Sequence, residues 1–274
     1  MDLRLTYLVS ISILRYPISF NSRWFLVRPG LLKLIPTGSD HAPYKLGCGL
    51  ALGTEVIMTG LKRVLLLLFL FAFLSPAWAS ERVIVADFSR DLGNGGNPSG
   101  WQLHEKIGKA DYKVIQDSGI PALRLRSEET SFALQKAVDI NPQLYPVLSW
   151  KWKVTKLPDG GDFRRSNADD QAAQIFLAFS NRKTIAYIWD TTAPAGSMDD
   201  ASGIPFVSVK AIVVRSGSND TGRWITETRN VCEDYRALFG DEPPVLAGIR
   251  IQINSQHTAT SGESFFADLV FQKN

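Results

Sequence analysis

The 274 residues carry 45% apolar and 21% charged side chains and a formal charge of +3. The positive excess lies at one end: residues 1–79 hold 8 of the 30 Lys and Arg and 3 of the 27 Asp and Glu, which leaves 22 against 24 for residues 80–274. A remainder that is near neutral or slightly acidic argues against a nucleic-acid partner, and its 195 residues suit one domain with a full core.

Residues 1–57 show no sustained period of 3.6 or 2 and are interrupted by Pro17, Pro29, Pro36 and Pro43, a pattern that reads as an over-extended N-terminus rather than a domain. From Met58 the grammar becomes that of a secretory signal peptide spanning 58–79. Lys62 and Arg63 form the charged n-region, Val64 to Leu74 the apolar h-region, and Ala77-Trp78-Ala79 the small-residue cleavage site behind Pro76. An apolar run of about 11 residues falls short of the roughly 20 that a spanning helix needs. The expectation is therefore cleavage after Ala79, export to the periplasm or the medium, and no permanent membrane span. Cys48 leaves with this segment, and Cys232 then stands alone, so no intramolecular disulfide helps the core hold residues 80–274 together.

After residue 80 the hydrophobic period is two nearly throughout. The runs are RVIVADF from Arg82, DYKVIQD from Asp111, PALRLRS from Pro121, a segment over 131–138, LSWKWKV from Leu148, QAAQIFLAF from Gln171, TIAYIWD from Thr184, FVSVKAIVV from Phe206, RWITETRNV from Arg223, GIRIQIN from Gly248 and FFADLVF from Phe265. In LSWKWKV, Leu148, Trp150, Trp152 and Val154 point one way and Ser149, Lys151 and Lys153 the other, giving one dry and one wet face. Roughly ten or eleven strands of this kind predict an all-β fold, a two-sheet antiparallel β-sandwich of jelly-roll type. One short helix is expected over Cys232–Phe239, stopped by Gly240. The long acidic loops 157–170 and 190–203 are where function on such a scaffold usually sits.

Three constellations could carry chemistry. The first is a polar groove on wet strand faces, with Tyr187 and Trp189 as flat surfaces for sugar rings and Glu227, Arg229, Arg250, Gln252 and Asn254 as hydrogen-bonding groups. That set points to a glycan or another small polar ligand. The second is a structural calcium, held either by the acidic loops or by Asp87 and Asp268, because first and last strands pair in jelly rolls; no other cofactor is expected. The third is sugar hydrolysis or elimination, which needs two carboxylates across the scissile bond, with Asp170, Asp190 and Glu227 as partners to test. The reading that follows is a non-catalytic binding module, with a polysaccharide hydrolase or lyase, or an envelope protein binding a protein partner, as the alternatives.

From about Leu148 to Phe271 the motifs LSWKWKV, LPDGGD, ADDQAAQIFLAF, IAYIWD, VVRSG, TRNVCEDY and LFGDEPP follow one another ahead of a strand beginning Gly248-Ile249. In these the chain resembles an uncharacterised family of bacterial secreted proteins, the domain of unknown function 3047. The resemblance implies a sandwich-like extracytoplasmic domain and no established activity. One departure stands out: an acidic stretch of D-x-D-N-T kind is expected after that strand, and here Asn254, Ser255, Gln256, His257 and Thr258 stand in its place.

Overall fold

The structure, a computed structural model, describes residues 81–93, 96–201 and 207–273. The expected N-terminal extension, signal peptide and Cys48 lie outside the described residues. Among those described are thirteen strands: β1 (Arg82–Ala86), β2 (Gln102–Ile107), β3 (Asp111–Asp117), β4 (Ile120–Glu128), β5 (Ser131–Ile140), β6 (Val147–Lys156), β7 (Ala173–Phe179), β8 (Lys183–Asp190), β9 (Met198–Asp200), β10 (Ser208–Ser216), β11 (Ile225–Asn230), β12 (Leu246–Asn254) and β13 (Ser261–Gln272). The helix α1 covers Val231–Phe239. Two strands, β2 and the three-residue β9, were not expected; QLHEKI in β2 mixes charge onto both faces and so lacks the alternation that marks the others.

The strands form two sheets packed as a β-sandwich, as the alternation predicts. The six-stranded sheet has the order β11-β6-β13-β4-β3, with β1 pairing β13, and the seven-stranded sheet the order β2-β5-β12-β7-β8-β10-β9. Every pair is antiparallel except β8 and β10, which run parallel with Ser208 opposite Lys183 and Ser216 opposite Asp190. The chain leaves β8 at Asp190 and starts β10 back beside Lys183, and the long segment between them is the crossover that a parallel pair requires.

The core lies between the sheets and is dominated by large side chains. Trp150 and Trp152 of β6 meet Tyr187 and Trp189 of β8, and all four are fully buried. A second apolar cluster sits on the opposite face of the seven-stranded sheet, where Phe163 and Ala193 from the long loops pack on Ala186, Ile188, Ala211 and Val213. The loops therefore roof one half of that outer face. Strand β8 is buried on both sides for this reason, although its sequence alternates no polar residues against the apolar ones.

Helix α1 is set by its caps. Asn230 accepts the amides of Cys232 and Glu233 at the N-terminus, and Gly240 closes the C-terminus at φ 76, a left-handed conformation that glycine adopts without strain. Cys232 is buried with its thiol on the Pro142 carbonyl at 3.2 Å, and burial pushes the thiol pKa up, so it is a packing residue rather than a nucleophile. Among the described residues no helix is long and apolar enough to cross a membrane.

Candidate functional site

The ladder registers of the seven-stranded sheet place its outward side chains in three rows. The first runs through Ala137, Gly248, Ala178, Thr184 and Val209; the second through Gln102, Gln135, Arg250, Phe176, Ala186 and Ala211; the third through His104, Ala133, Gln252, Gln174, Ile188 and Val213. Small residues surround Phe176 on these rows: Gly248 and Ala178 on one side, Ala186 and Ala211 beyond it. Where the loops do not roof the sheet, that deficit of side-chain volume leaves a trough.

The trough is a cleft of about 320 Å³ lined by Gln135, Phe176, Thr184, Gly248, Arg250 and Gln252, with Lys106 of β2 at its rim. It runs through Lys106, Phe176 and Gln252 into a smaller depression of about 80 Å³ that ends at Asp169, Gln174 and His257. The size is at the small end of ligand clefts, which run to about 300–1,000 Å³. Its floor is apolar and its polar groups are few and convergent, the composition that small-ligand sites share.

Arg250 donates to Gln135 Oε1 at 2.9 Å across the β5–β12 ladder, and burial alone lowers its pKa from the usual guanidinium range. Gln252 donates to Gln174 Oε1 at 3.4 Å, a long bond that leaves the Gln252 amide able to turn toward a ligand, whereas Gln174 is buried and held by its Nε2 on Asn254 and on the Gln171 carbonyl. His257 places Nδ1 at 3.0 Å from the Asp169 carbonyl and 3.5 Å from the Asp170 carboxylate, which fixes the ring at the end of the smaller depression.

The wall between cleft and loops is held by two buried carboxylates. Asp190 accepts the amides of Phe163, Thr192 and Ala193 at 2.9, 2.9 and 2.7 Å and so ties loop 157–170 to loop 190–203. Burial raises its pKa, against the pull of those three bonds. Asp170 accepts the Thr258 amide at 2.6 Å, the Thr258 hydroxyl at 2.9 Å and Asn254 Nδ2 at 3.1 Å. Gly161 is required where the two loops meet, because a Cβ there would stand 2.3 Å from the Asp170 carbonyl oxygen.

The expected site residues divide. Arg250 and Gln252 are in the cleft, on the wet face of GIRIQIN. Asn254 is on the same face but buried: its carbonyl takes the Gln171 amide and Gln174 Nε2, and its amide gives to the Asp169 carbonyl and Asp170, so it braces the wall. Tyr187 and Trp189 do share a face, and it is the core face. Tyr187 stacks on Trp150 with ring centroids 5.3 Å apart, and Trp189 Nε1 donates to the Gly217 carbonyl at 3.0 Å, so neither offers a surface to a sugar.

Glu227 and Arg229 belong to the other sheet. Glu227 accepts Arg215 Nε at 2.6 Å and Trp152 Nε1 at 3.2 Å, joining the sheets at an open edge. Arg229 is paired with Asp234 and lies 5.9 Å from the Tyr187 ring centroid. Of the three carboxylates considered for hydrolysis, Asp170 and Asp190 are fully buried and Glu227 is ion-paired. Among the described lining residues of the cleft, Asp169 is the one carboxylate.

First and last strands pair as expected, with Ala86 opposite Leu269, and Asp87 and Asp268 line one shallow depression. Asp87 accepts the Ser89 amide at 3.0 Å and Asp268 pairs with Lys151 at 2.8 Å. Among the described residues no group of three or more His, Cys, Asp or Glu is gathered as a metal site.

Sequence reasoning missed Lys106, Gln135, Gln174, Phe176 and Thr184. A signal for two of them was present: QIFLAF puts Gln174 and Phe176 at alternate positions with Ala178, opposite to Ile175 and Leu177, so an aromatic stood on the wet parity.

Fold and site together define a β-sandwich with a polar cleft on the outer face of its larger sheet. The chain belongs to the family described as Protein of unknown function (DUF3047), whose profile matches residues 99–270. No curated protein matches the chain. Among solved structures it is similar to a family 11 carbohydrate-binding module of a cellulosomal cellulase of Clostridium thermocellum, at 10% identity over 72% of this chain and 96% of that one, with a TM-score of 0.38. It is also similar to the xyloglucanase domain of a type three effector from Sinorhizobium fredii, at 10% identity over 65% and 96% with a TM-score of 0.41. A third is the family 11 xylanase from Neocallimastix patriciarum, at 11% identity over 70% and 100% with a TM-score of 0.39. At scores this low, nothing about ligand or reaction is carried from them to this chain.

Proposed function

We propose that the protein is an exported, non-catalytic binding module that holds a glycan or other small polar ligand in the cleft on the outer face of its seven-stranded sheet. The observation that carries the reading is the cleft itself, which brings the aromatic side chain of Phe176 together with Gln135, Arg250 and Gln252 in one lining. An aromatic plane packs against the apolar face of a sugar ring, while amides and a guanidinium exchange hydrogen bonds with its hydroxyls. A hydrolase would need a second carboxylate opposite Asp169, and the described lining residues supply none. Export rests on the signal-peptide grammar of 58–79 and is tested by N-terminal sequencing of protein from its native host, which should begin near residue 80.

Binding is tested by calorimetric titration with oligosaccharides, for the native protein and for Gly248→Leu. A Cβ at 248 meets the Lys136 carbonyl and the Ala178 methyl at 3.7 and 3.9 Å, ordinary contacts, so the backbone there accepts a side chain, and Gly248 lines the trough that the side chain would fill. Saccharide binding that weakens at least about tenfold, a loss of about 1.4 kcal/mol, at unchanged melting temperature supports the reading. Binding untouched by Gly248→Leu, or absent for every saccharide, refutes it.

A further inference from the structure

Four arginines in the described residues are half-buried, and three have a carboxylate. Arg124 pairs with Asp111 at 2.6 Å, Arg215 with Glu227 at 2.6 Å and Arg229 with Asp234. The fourth is Arg250, which has no carboxylate within ion-pair distance among the described residues and meets a neutral acceptor, Gln135. A charge taken partly out of water without a counter-ion is costly, and the fold meets that cost for the other three. Lys106, which lines both parts of the cleft, likewise has no ion-pair partner among the described residues. The larger part of the cleft is lined by two cations and no described carboxylate.

We propose that the ligand of this cleft is anionic, a saccharide bearing carboxylates such as a uronic-acid oligomer, and that Arg250 receives one carboxylate while Lys106 attracts the chain at the rim. The inference rests on the binding-module reading above and narrows it to one chemical class. A guanidinium presents parallel N–H donors in a plane, which match the two oxygens of a carboxylate; Gln135 orients that fork from the neighbouring strand. Phe176, directly opposite Arg250 in the β7–β12 ladder, lies beside it to support the ring that carries the carboxylate. Burial lowers the Arg250 pKa with no opposing carboxylate to raise it, consistent with a counter-ion that arrives with the ligand.

The test is calorimetric titration of the whole protein with a galacturonic-acid trisaccharide and with its methyl ester, which has the same skeleton without the charge. The acid should bind at least about tenfold more tightly than the ester, and more weakly as salt is raised. Arg250→Gln should abolish that preference, and Arg250→Lys should restore part of it, because charge returns without the fork. Equal binding of acid and ester overturns the anionic inference and leaves the polar-ligand reading standing. Failure of both acid and ester to bind overturns the inference; failure of neutral cello-oligosaccharides as well overturns the broader reading. Arg250→Met supplies a readout that needs no ligand: the melting temperature should hold or rise when the uncompensated charge is removed. A fall would assign Arg250 to packing and overturn its assignment as the carboxylate receptor.

Discussion

The Tyr187 hydroxyl donates to the Asp234 carboxylate at 2.7 Å, and the same carboxylate accepts Arg229 Nε at 2.9 Å. One buried acid on helix α1 thereby fastens β8 of the larger sheet and β11 of the smaller. Burial, aided by the charge of Asp234, drives the tyrosine pKa far above its ordinary range, so the hydroxyl is a permanent donor. Tyr187→Phe should lower stability by about 1 kcal/mol, the net worth of one hydrogen bond, while Trp189→Ala should cost about 3–5 kcal/mol through the cavity it leaves. Urea unfolding measures both. Neither change should weaken ligand binding beyond the loss of folded protein, because both side chains face away from the cleft.

Gly161→Ala should loosen the wall of the cleft. The new methyl would meet a backbone oxygen, Asp170 O, at 2.3 Å, and backbone cannot swing aside as a side-chain tip can. A loss of about 1–3 kcal/mol is expected from such overpacking. Amide exchange should quicken at Thr192, whose N–H is bonded to the Gly161 carbonyl at 3.1 Å. Unchanged exchange there would separate the two loops that Asp190 is held to join.

Acid should weaken the same wall in a defined window. The Arg164 guanidinium, bonded to Asp162 at 2.8 Å, holds that carboxyl at about 2 against an ordinary 3.8. A carboxyl with a depressed folded-state pKa contributes its full stability above the unfolded value and loses it as pH falls through the folded one, here between about pH 4 and about pH 2. Asp190, raised by burial, acts in the opposite sense over its own range. Asp162→Asn should flatten the fall in stability over that window, as read by unfolding titrations at successive pH values. An unaltered profile would remove Asp162 from the account.

How far the molecule could be read before its structure is clearest at two strands. GIRIQIN alternates Ile with Arg, Gln and Asn, so polarity announced which side faces water, and Arg250 and Gln252 are in the cleft accordingly. TIAYIWD carries Ala186 and Ile188 on one side and Tyr187 and Trp189 on the other; both sides are apolar because loops 157–170 and 190–203 roof the first. Period two was legible there and the direction of the core was not, since nothing polar distinguished the faces. The trough itself was hidden for another reason. It is made by what Gly248, Ala178 and Ala186 lack, on three strands whose adjacency follows from sheet order rather than from sequence order. Pairing of β1 with β13 was legible from the general habit of jelly rolls, and Asp87 and Asp268 line one depression beside it.

The central claim is that ligand occupies the outer face of the seven-stranded sheet, and amide-resolved NMR titration of the protein with acidic and neutral oligosaccharides tests it most directly. The account predicts saturable shifts concentrated at Gln135, Phe176, Arg250 and Gln252, with Ser149, Glu227 and Arg229 on the smaller sheet unmoved. Shifts centred on the smaller sheet, or none with any saccharide, would contradict it.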